Sequence, residues 1–392
     1  MTVLGTLAGV ALTGAAPAGA ATGTTIAAGV VYRQYDLRAG AGLTHVHVLG
    51  VDLANTHVRL GLLYPGKVAS RATVTRLATV QNAVAGVNGD FFNTSEAQHS
   101  GVAATGASVG PAVANGKVLK AAVPVGQRFG PALPPGTDAD DVLGVSGDGQ
   151  ARLDSLTLDG TVTASGLRWP LRGLNQYALP ENSIGAYNSD WGSVSRARAT
   201  CGTDTKRAAP CGTDTYEVTV RAGRMVSASA KPGSGAIAAD TTVLVGREAG
   251  AQRLRTLAEG QRVAVNHGLA AASGRAYRFA LGGCPVLSGG RPLPGLDTRT
   301  SAVRTAVGIA DGGRRVLLFA VDGAPAYRRG LTIAEVAAAL KSLGATEGFS
   351  LDGGGSSTLV ARAPGASGVS VRNHPSDGVE RAVPNGIGVF TR

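Results

Sequence analysis

Residues 316–358 read VLLFAVDGAPAYRRGLTIAEVAAALKSLGATEGFSLDGGGSST, and the order of elements in this stretch decides the fold class. Val316–Val321 is an apolar run of strand length that ends on an acid, Asp322. Thr332 with Glu335 three residues on is a capping-box pattern. Ile333, Val336, Ala337, Leu340 and Leu343 then recur at helical spacing, and Gly344 suits the helix stop. A second strand near Gly348–Leu351 ends on a second acid, Asp352. This β–α–β order predicts a crossover that leaves both acids just past the carboxyl ends of their strands. As parallel neighbours, the two strands would aim Asp322 and Asp352 into one crevice.

Outward from this unit, hairpin signals dominate. Thr44–Leu53 alternates in polarity, and Val58–Leu63 is a further strand. Asn115-Gly116 separates Val113 from Val118. Asp159-Gly160 separates Leu156–Leu158 from Thr161–Thr163, and Asp311-Gly312-Gly313 precedes Val316. Val74–Ala83 is a second helix candidate. His45 and His47 share one strand face and read as exposed polar residues rather than metal ligands. The expected fold class is α+β: mixed, hairpin-rich β-sheets with a few packed helices. One large domain is expected over residues 30–392, with a loop-rich insertion at about 125–235.

Composition supports a packed, turn-rich chain. Hydrophobic residues are 44% and charged residues 16% of 392, which excludes global disorder. Aromatics are 4% and glycines number 58, with no collagen-like period, so glycine serves turns. Lys and Arg total 37 against 26 Asp and Glu, a net charge of +11 that favours anionic partners. The charge forms no Lys/Arg run, and neither zinc-finger spacing nor a base-stacking set of aromatics is present, so no nucleic-acid partner is expected. Residues 1–20 read as a signal peptide cleaved after Ala20, with Ala18-Gly19-Ala20 as the cleavage signature, and residues 21–29 as a linker. No later segment reaches ~18 uninterrupted apolar residues, so no transmembrane segment is expected. The expected location is secreted or cell-wall associated. Cys201 and Cys211 each open a Cys-Gly-Thr-Asp-Thr repeat and can close a small disulfide loop in an exported protein. With no histidine near them in sequence, they do not make a metal site. Cys284 reads as a small buried residue.

Four segments can carry chemistry. Val87-Asn88-Gly89-Asp90-Phe91-Phe92-Asn93 suggests a turn that presents a carboxylate at a strand end. Arg304 immediately precedes an apolar strand, where a guanidinium can fork onto a phosphate. Asp352-Gly353-Gly354-Gly355-Ser356-Ser357 sets an acid beside three glycines, whose successive N–H groups can form an anion nest, and two hydroxyls. It is not a Walker loop, because the required Lys is missing. Asn373–Arg381 is a polar loop in which His374, Asp377 and Glu380 can each act as acid or base. Gly106-Ala107-Ser108-Val109-Gly110 matches G-x-S-x-G, but it lies between no clear strand and helix and is discounted as a nucleophile turn.

Taken in order, Asn-Gly-Asp-Phe-Phe (88–92), Gly-Gly-x-Pro-x-Leu (282–287), Arg-Thr-Ala-x-Gly (304–308), Val-Asp-Gly (321–323), Leu-Asp-Gly-Gly-Gly-Ser-Ser-Thr (351–358) and Ser-Asp-Gly-x-Glu-Arg (376–381) resemble the phosphodiester glycosidase family. The motifs cover residues 30–391, and the stretch 125–235 carries none of them. The resemblance implies hydrolysis of a sugar-1-phosphodiester at the anomeric C–O bond, releasing sugar and a phosphomonoester. On this basis Asp90, Asp352 and Glu380 are the expected catalytic acids, with Asp352 or Asp90 nearest the anomeric carbon. Arg304 and the nest of Gly353, Gly354 and Gly355 would hold phosphate. Asn88, Asp322, Ser356 and Ser357 would bind sugar hydroxyls or orient the acids. The expected partner is a phosphorylated carbohydrate, such as a GlcNAc-1-phosphodiester or a cell-wall phosphoglycan. No motif requires a cofactor or specifies a metal, although clustered acids can accept a divalent cation such as Ca²⁺. Two other readings use the same residues differently. A non-catalytic binder of anionic wall glycans needs the charge and the nest but not the four acids, and a hydrolase of another kind would use Ser108.

Overall fold

Thr305–Ala310, sequence TAVGIA, is buried at every position, and that continuous apolar run belongs at the centre of a covered sheet. In the computed structural model, which describes residues 23–392, it does lie there. The eight-stranded sheet runs Thr24–Ala27, Val30–Ala39, Gly42–Asp52, Arg315–Val321, Thr305–Ala310, Glu347–Leu351, Cys284–Ser288, Arg291–Pro292. Every neighbouring pair is antiparallel. The expected signal peptide, 1–20, and residues 21–22 fall outside the described residues. Thr24–Ala27, expected to be linker, forms the edge strand of this sheet.

The crossover differs from the expectation in one respect. Arg315–Val321 and Glu347–Leu351 do run parallel, but Thr305–Ala310 pairs with both and lies between them. The described residues hold α-helices α1 (Val74–Val80), α2 (Ala249–Leu254) and α3 (Ile333–Ser342). Helix α3 makes the crossover. Its N-cap Thr332 accepts from Glu335 N, and the Glu335 carboxylate returns to Thr332 N, so the capping box is realised. The buried face of α3 packs on Val286, Ala306, Leu317 and Phe319 of the sheet. A Cβ on Gly308 would lie 2.9 Å from the Ala345 Cβ, so glycine there lets the end of the crossover sit close on the central strand.

A five-stranded sheet, Val369–Val371, Leu359–Arg362, Ala85–Asn88, Gly386–Thr391, Val58–Leu63, faces the first. Leu49, Val307, Ile309 and Leu318 of one and Leu60, Val87, Leu359 and Val389 of the other share a core cluster that extends from Val30 to Val389. That shared core makes one domain.

The stretch 125–235, expected to be loop-rich, keeps more than half of its residues outside strands, and it also carries Asp141–Ser146, Ala151–Ala164, Leu167–Pro170, Ile184–Tyr187, Thr215–Arg221 and Arg224–Ser229. They enter a seven-stranded and a second five-stranded sheet. Asn115-Gly116 makes its hairpin as expected. Asp159-Gly160 does not, because Ala151–Ala164 runs straight through it, with Leu156–Ala164 paired to Val263–Ala271. The glycine leaves room for Leu171, whose Cβ would stand 3.0 Å from a Cβ at residue 160. Strands make up 42% of the described residues and helices 10%, so the molecule is more β-rich than the expected α+β balance.

Candidate active site

The site forms where strands of the two facing sheets end at a common rim. Ala85–Asn88 runs into Gly89 and Asp90, and Glu347–Leu351 runs into Asp352. Asp352 N donates to Gly89 O at 2.9 Å, and Asn88 Nδ2 donates to Asp352 O at 2.7 Å. Asn88 Oδ1 accepts from Thr305 Oγ1 at 2.8 Å and from Thr358 N at 3.0 Å. Through both ends of its amide, Asn88 ties the two sheets together and orients the acid-bearing turns. Ser357 is likewise buried against Thr305 Oγ1.

Register fixes what stands beside Asp352. Thr305 pairs with Leu351 on one side and Ala320 on the other, so Arg304 sits between Asp352 and Asp322 at the sheet edge. The two acids are thus two strand spacings apart, roughly 10 Å. They do not share a crevice. Asp322 Oδ2 lies 3.0 Å from His47 Nε2 and 2.8 Å from His374 Nδ1, and Oδ1 accepts from Ala324 N. Burial alone would raise this carboxyl, but the hydrogen bonds from His374, Ala324 and His47 hold it below its ordinary value. His47 is buried between Tyr32 and Asp322, which corrects its reading as an exposed residue.

Asp352 opens instead onto a cleft of about 560 Å³. Phe91, Phe92 and Phe129 give the cleft apolar surface, and Arg304 and Arg381 give it two guanidinium groups. Arg304 is anchored by Nε on Leu331 O and Nη2 on Thr300 O. Arg381 donates to Asp377 Oδ2 at 2.6 Å and to Ser356 Oγ. Burial pushes the Asp352 carboxyl up to about 6, against hydrogen bonds from Ser356 and Gly353 N and the charge of Arg381, while the neighbouring Asp90 charge adds to the rise.

The glycine nest takes a different form from the one expected. Gly353 N donates to Asp352 Oδ1 and Gly354 N to Val303 O, so these two N–H groups serve the protein. Gly355 is small because a Cβ there would overlap the Asp377 carboxylate. The cations of the cleft are therefore the two arginines. Arg381 ends the motif Ser-Asp-Gly-x-Glu-Arg, and it is this arginine, not the adjacent Glu380, that lines the cleft. Glu380 Oε1 accepts from Thr75 N at 3.0 Å, at the N-terminus of α1, and is not part of the cleft lining.

Asp90 is buried behind the cleft. Its Oδ2 accepts from Gly110 N at 2.6 Å, and Oδ1 has no hydrogen-bond partner among the described residues. Burial raises this carboxyl, and the buried Lys120 opposes the rise. Ser108 is buried and bridges Phe92 through its backbone, away from any nucleophile turn. Cys284 is buried, and burial pushes its thiol up to about 11, which fits the expected inert residue. Cys201 and Cys211 form a disulfide, and the fold brings His99 beside it, which the sequence does not place there. These three residues are the only metal-type triad among the described residues, and the disulfide occupies both of its sulfurs.

The phosphodiester glycosidase family model matches residues 214–390, a span that holds Arg304, Asp352, Glu380 and Arg381 but not Asp90. The resemblance carried by the ordered motifs holds over that span. No curated protein matches the sequence. Among solved structures, a hypothetical protein from Synechocystis aligns with a TM-score of 0.72 at 19% identity, over 96% of this chain and 64% of that one. This chain thus spans just under two thirds of the Synechocystis protein. A candidate exported protein from Burkholderia pseudomallei aligns with a TM-score of 0.66 at 25% identity, over 90% of this chain and 76% of that one. The zebrafish N-acetylglucosamine-1-phosphodiester alpha-N-acetylglucosaminidase catalytic domain, auto-inhibited by its pro-peptide, aligns with a TM-score of 0.46 at 16% identity, over 92% and 82% of the two chains. Among the described residues, no helix is long and apolar enough to cross a membrane.

Proposed function

We propose that this chain hydrolyses sugar-1-phosphodiesters at the anomeric C–O bond. The observation that carries the reading is a single cleft in which Asp352, a carboxyl raised to about 6, stands with Arg304 and Arg381. The family match over residues 214–390 supports the same class of reaction.

The chemistry follows from what each group can supply. As the C1–O bond breaks, its electrons pass to the phosphate oxygen, and positive charge develops on the sugar ring. Asp352, ionised above pH 6, faces that charge, as nucleophile at C1 or as base on the water that attacks it. The departing phosphomonoester is a weak base, so it needs cations more than a proton. Arg304 and Arg381 fill that role, each already held by the protein and so pre-organised. Asp90 adds a second negative charge behind Asp352 and keeps the proton affinity of Asp352 high. Phe91 and Phe129 offer apolar surface to the face of a sugar ring. Ser356 orients Asp352, Asn88 fixes the backbone of both acid-bearing turns, and Glu380 ties the loop of Arg381 to helix α1.

We place the protein outside the cytoplasm. The Cys201–Cys211 disulfide and the amino-terminal export pattern support this location, as does the likeness to the Burkholderia protein. GlcNAc-1-phosphodiesters and cell-wall phosphoglycans are the substrates that fit it.

The test is release of free sugar from UDP-GlcNAc and a simple GlcNAc-1-phosphodiester, beside an aryl glycoside without phosphate. Free sugar from the phosphodiesters alone is the expected result. Tight binding of wall phosphoglycans with no turnover of any sugar phosphodiester would replace the enzyme with a glycan-binding protein.

A further inference from the structure

Lys120 is a fully buried lysine, and the mechanism above does not use it. Its Nζ donates to Val109 O at 3.1 Å, to Ala121 O at 2.7 Å and to Gly110 O, which engages all three of its N–H donors. It therefore has no donor left for a carboxylate. Val109 C=O and Gly110 N–H, however, belong to one peptide unit. The N–H of that unit is the 2.6 Å donor to Asp90 Oδ2. The ammonium at the carbonyl end polarises the amide and strengthens the donor at the other end.

The backbone packs closely around this bridge. A Cβ on Gly110 would fall 2.6 Å from Gly282 Cα, and a Cβ on Gly282 would fall 2.8 Å from Asp90 Oδ2. The other charged or titratable groups that act on Asp90 or feel its charge are Arg128, Cys284, Tyr177 and Asp352. Arg128 is directed elsewhere, with Nη2 on Cys284 Sγ and Nη1 on Pro131 O.

We infer that Lys120 is a positioning residue for catalysis, holding Asp90 ionised and aimed through the Val109–Gly110 peptide. The inference rests on the reading of Asp90 as a functional acid, and two experiments separate its failure from the failure of that reading. The first does not depend on turnover. NMR titration of the Lys120 side chain is compared in the wild type and in the isosteric Asp90→Asn, with the backbone amide spectrum of the variant as the check on its fold. The proton of Lys120 should be lost at a pH at least ~0.5 unit lower in Asp90→Asn, because its partner charge is gone. Superimposable titrations would overturn the coupling, whatever the enzyme does.

The second experiment is the pH profile of kcat/KM for Lys120→Met on a GlcNAc-1-phosphodiester. Its acid limb should move up by about one pH unit, with little change in KM, since a lost cation makes Asp90 harder to ionise. An unmoved acid limb in a folded variant would remove Lys120 from catalysis. If Lys120→Met does not fold, the Asp90→Asn titration alone decides the coupling. If the wild type turns over no phosphodiester, the proposed function fails while the titration still reports on the pair.

Discussion

Asp352 has two attributes that usually oppose each other, burial and charge. Its raised carboxyl has a direct consequence for stability. The folded state holds the proton up to about 6, whereas the unfolded chain releases it near the ordinary value of about 3.8. Between these two pH values the folded state binds more protons, so stability falls as pH rises through the window and stays low above it. Asp352→Asn removes that penalty. The variant should melt a few degrees higher than the wild type at pH 7.5, with the gain shrinking toward pH 4, as thermal unfolding at the two pH values would read. Its turnover should fall by about 10³-fold or more. Arg304→Lys tests the other pole of the cleft. A lysine cannot keep the Leu331 and Thr300 contacts and still present a fork to phosphate, so kcat/KM should drop by about 10- to 100-fold, with kcat falling as the departing phosphate loses its cation. At this scale the sequence was partly legible. Asp90, Arg304 and Asp352 could be found because each sits at the end of an apolar run. Arg381 and Lys120 could not, because what distinguishes them is their surroundings.

Helix α3 and the strands on either side of it are where local signals worked best. The Thr332–Glu335 capping box could be read because its partners are three residues apart. Thr332→Ala should cost about 1 kcal/mol in urea unfolding without changing the cleft. The strand after Arg304 and its hairpin with Arg315–Val321 could be read, but not its place between the two crossover strands, because its other pairing, with Glu347–Leu351, is non-local. That one inserted strand moves Asp322 away from Asp352 and puts Arg304 beside both. Asp159-Gly160 misled for a related reason: the dipeptide has turn chemistry, but its glycine answers to the approach of Leu171 across the sheet.

At the scale of the whole molecule, the described residues form mainly antiparallel sheets, two of which share a core that runs from Val30 to Val389. Glycine-rich composition and recurring hairpins made its β character legible. The stretch 125–235 was not, because its strands are separated by irregular segments and the longest of them, Ala151–Ala164, pairs with a partner as distant as Val263–Ala271. Within that stretch the disulfide closes a loop of sequence separation 10, braced by the buried Glu96–Arg198 ion pair and by His99. Changing Cys201 and Cys211 together to Ser should lower stability by about 2–3 kcal/mol, as denaturant unfolding would show, and leave turnover at the cleft largely intact.

The central claim concerns which bond breaks. Hydrolysis of a GlcNAc-1-phosphodiester in H₂¹⁸O, quenched quickly and analysed by mass spectrometry, reports it in one measurement. Attack at the anomeric carbon places the label in the released sugar and leaves the phosphomonoester unlabelled, which is the predicted result. Label in the phosphomonoester would mean attack at phosphorus, and Asp352 would no longer be a carboxylate acting on the sugar.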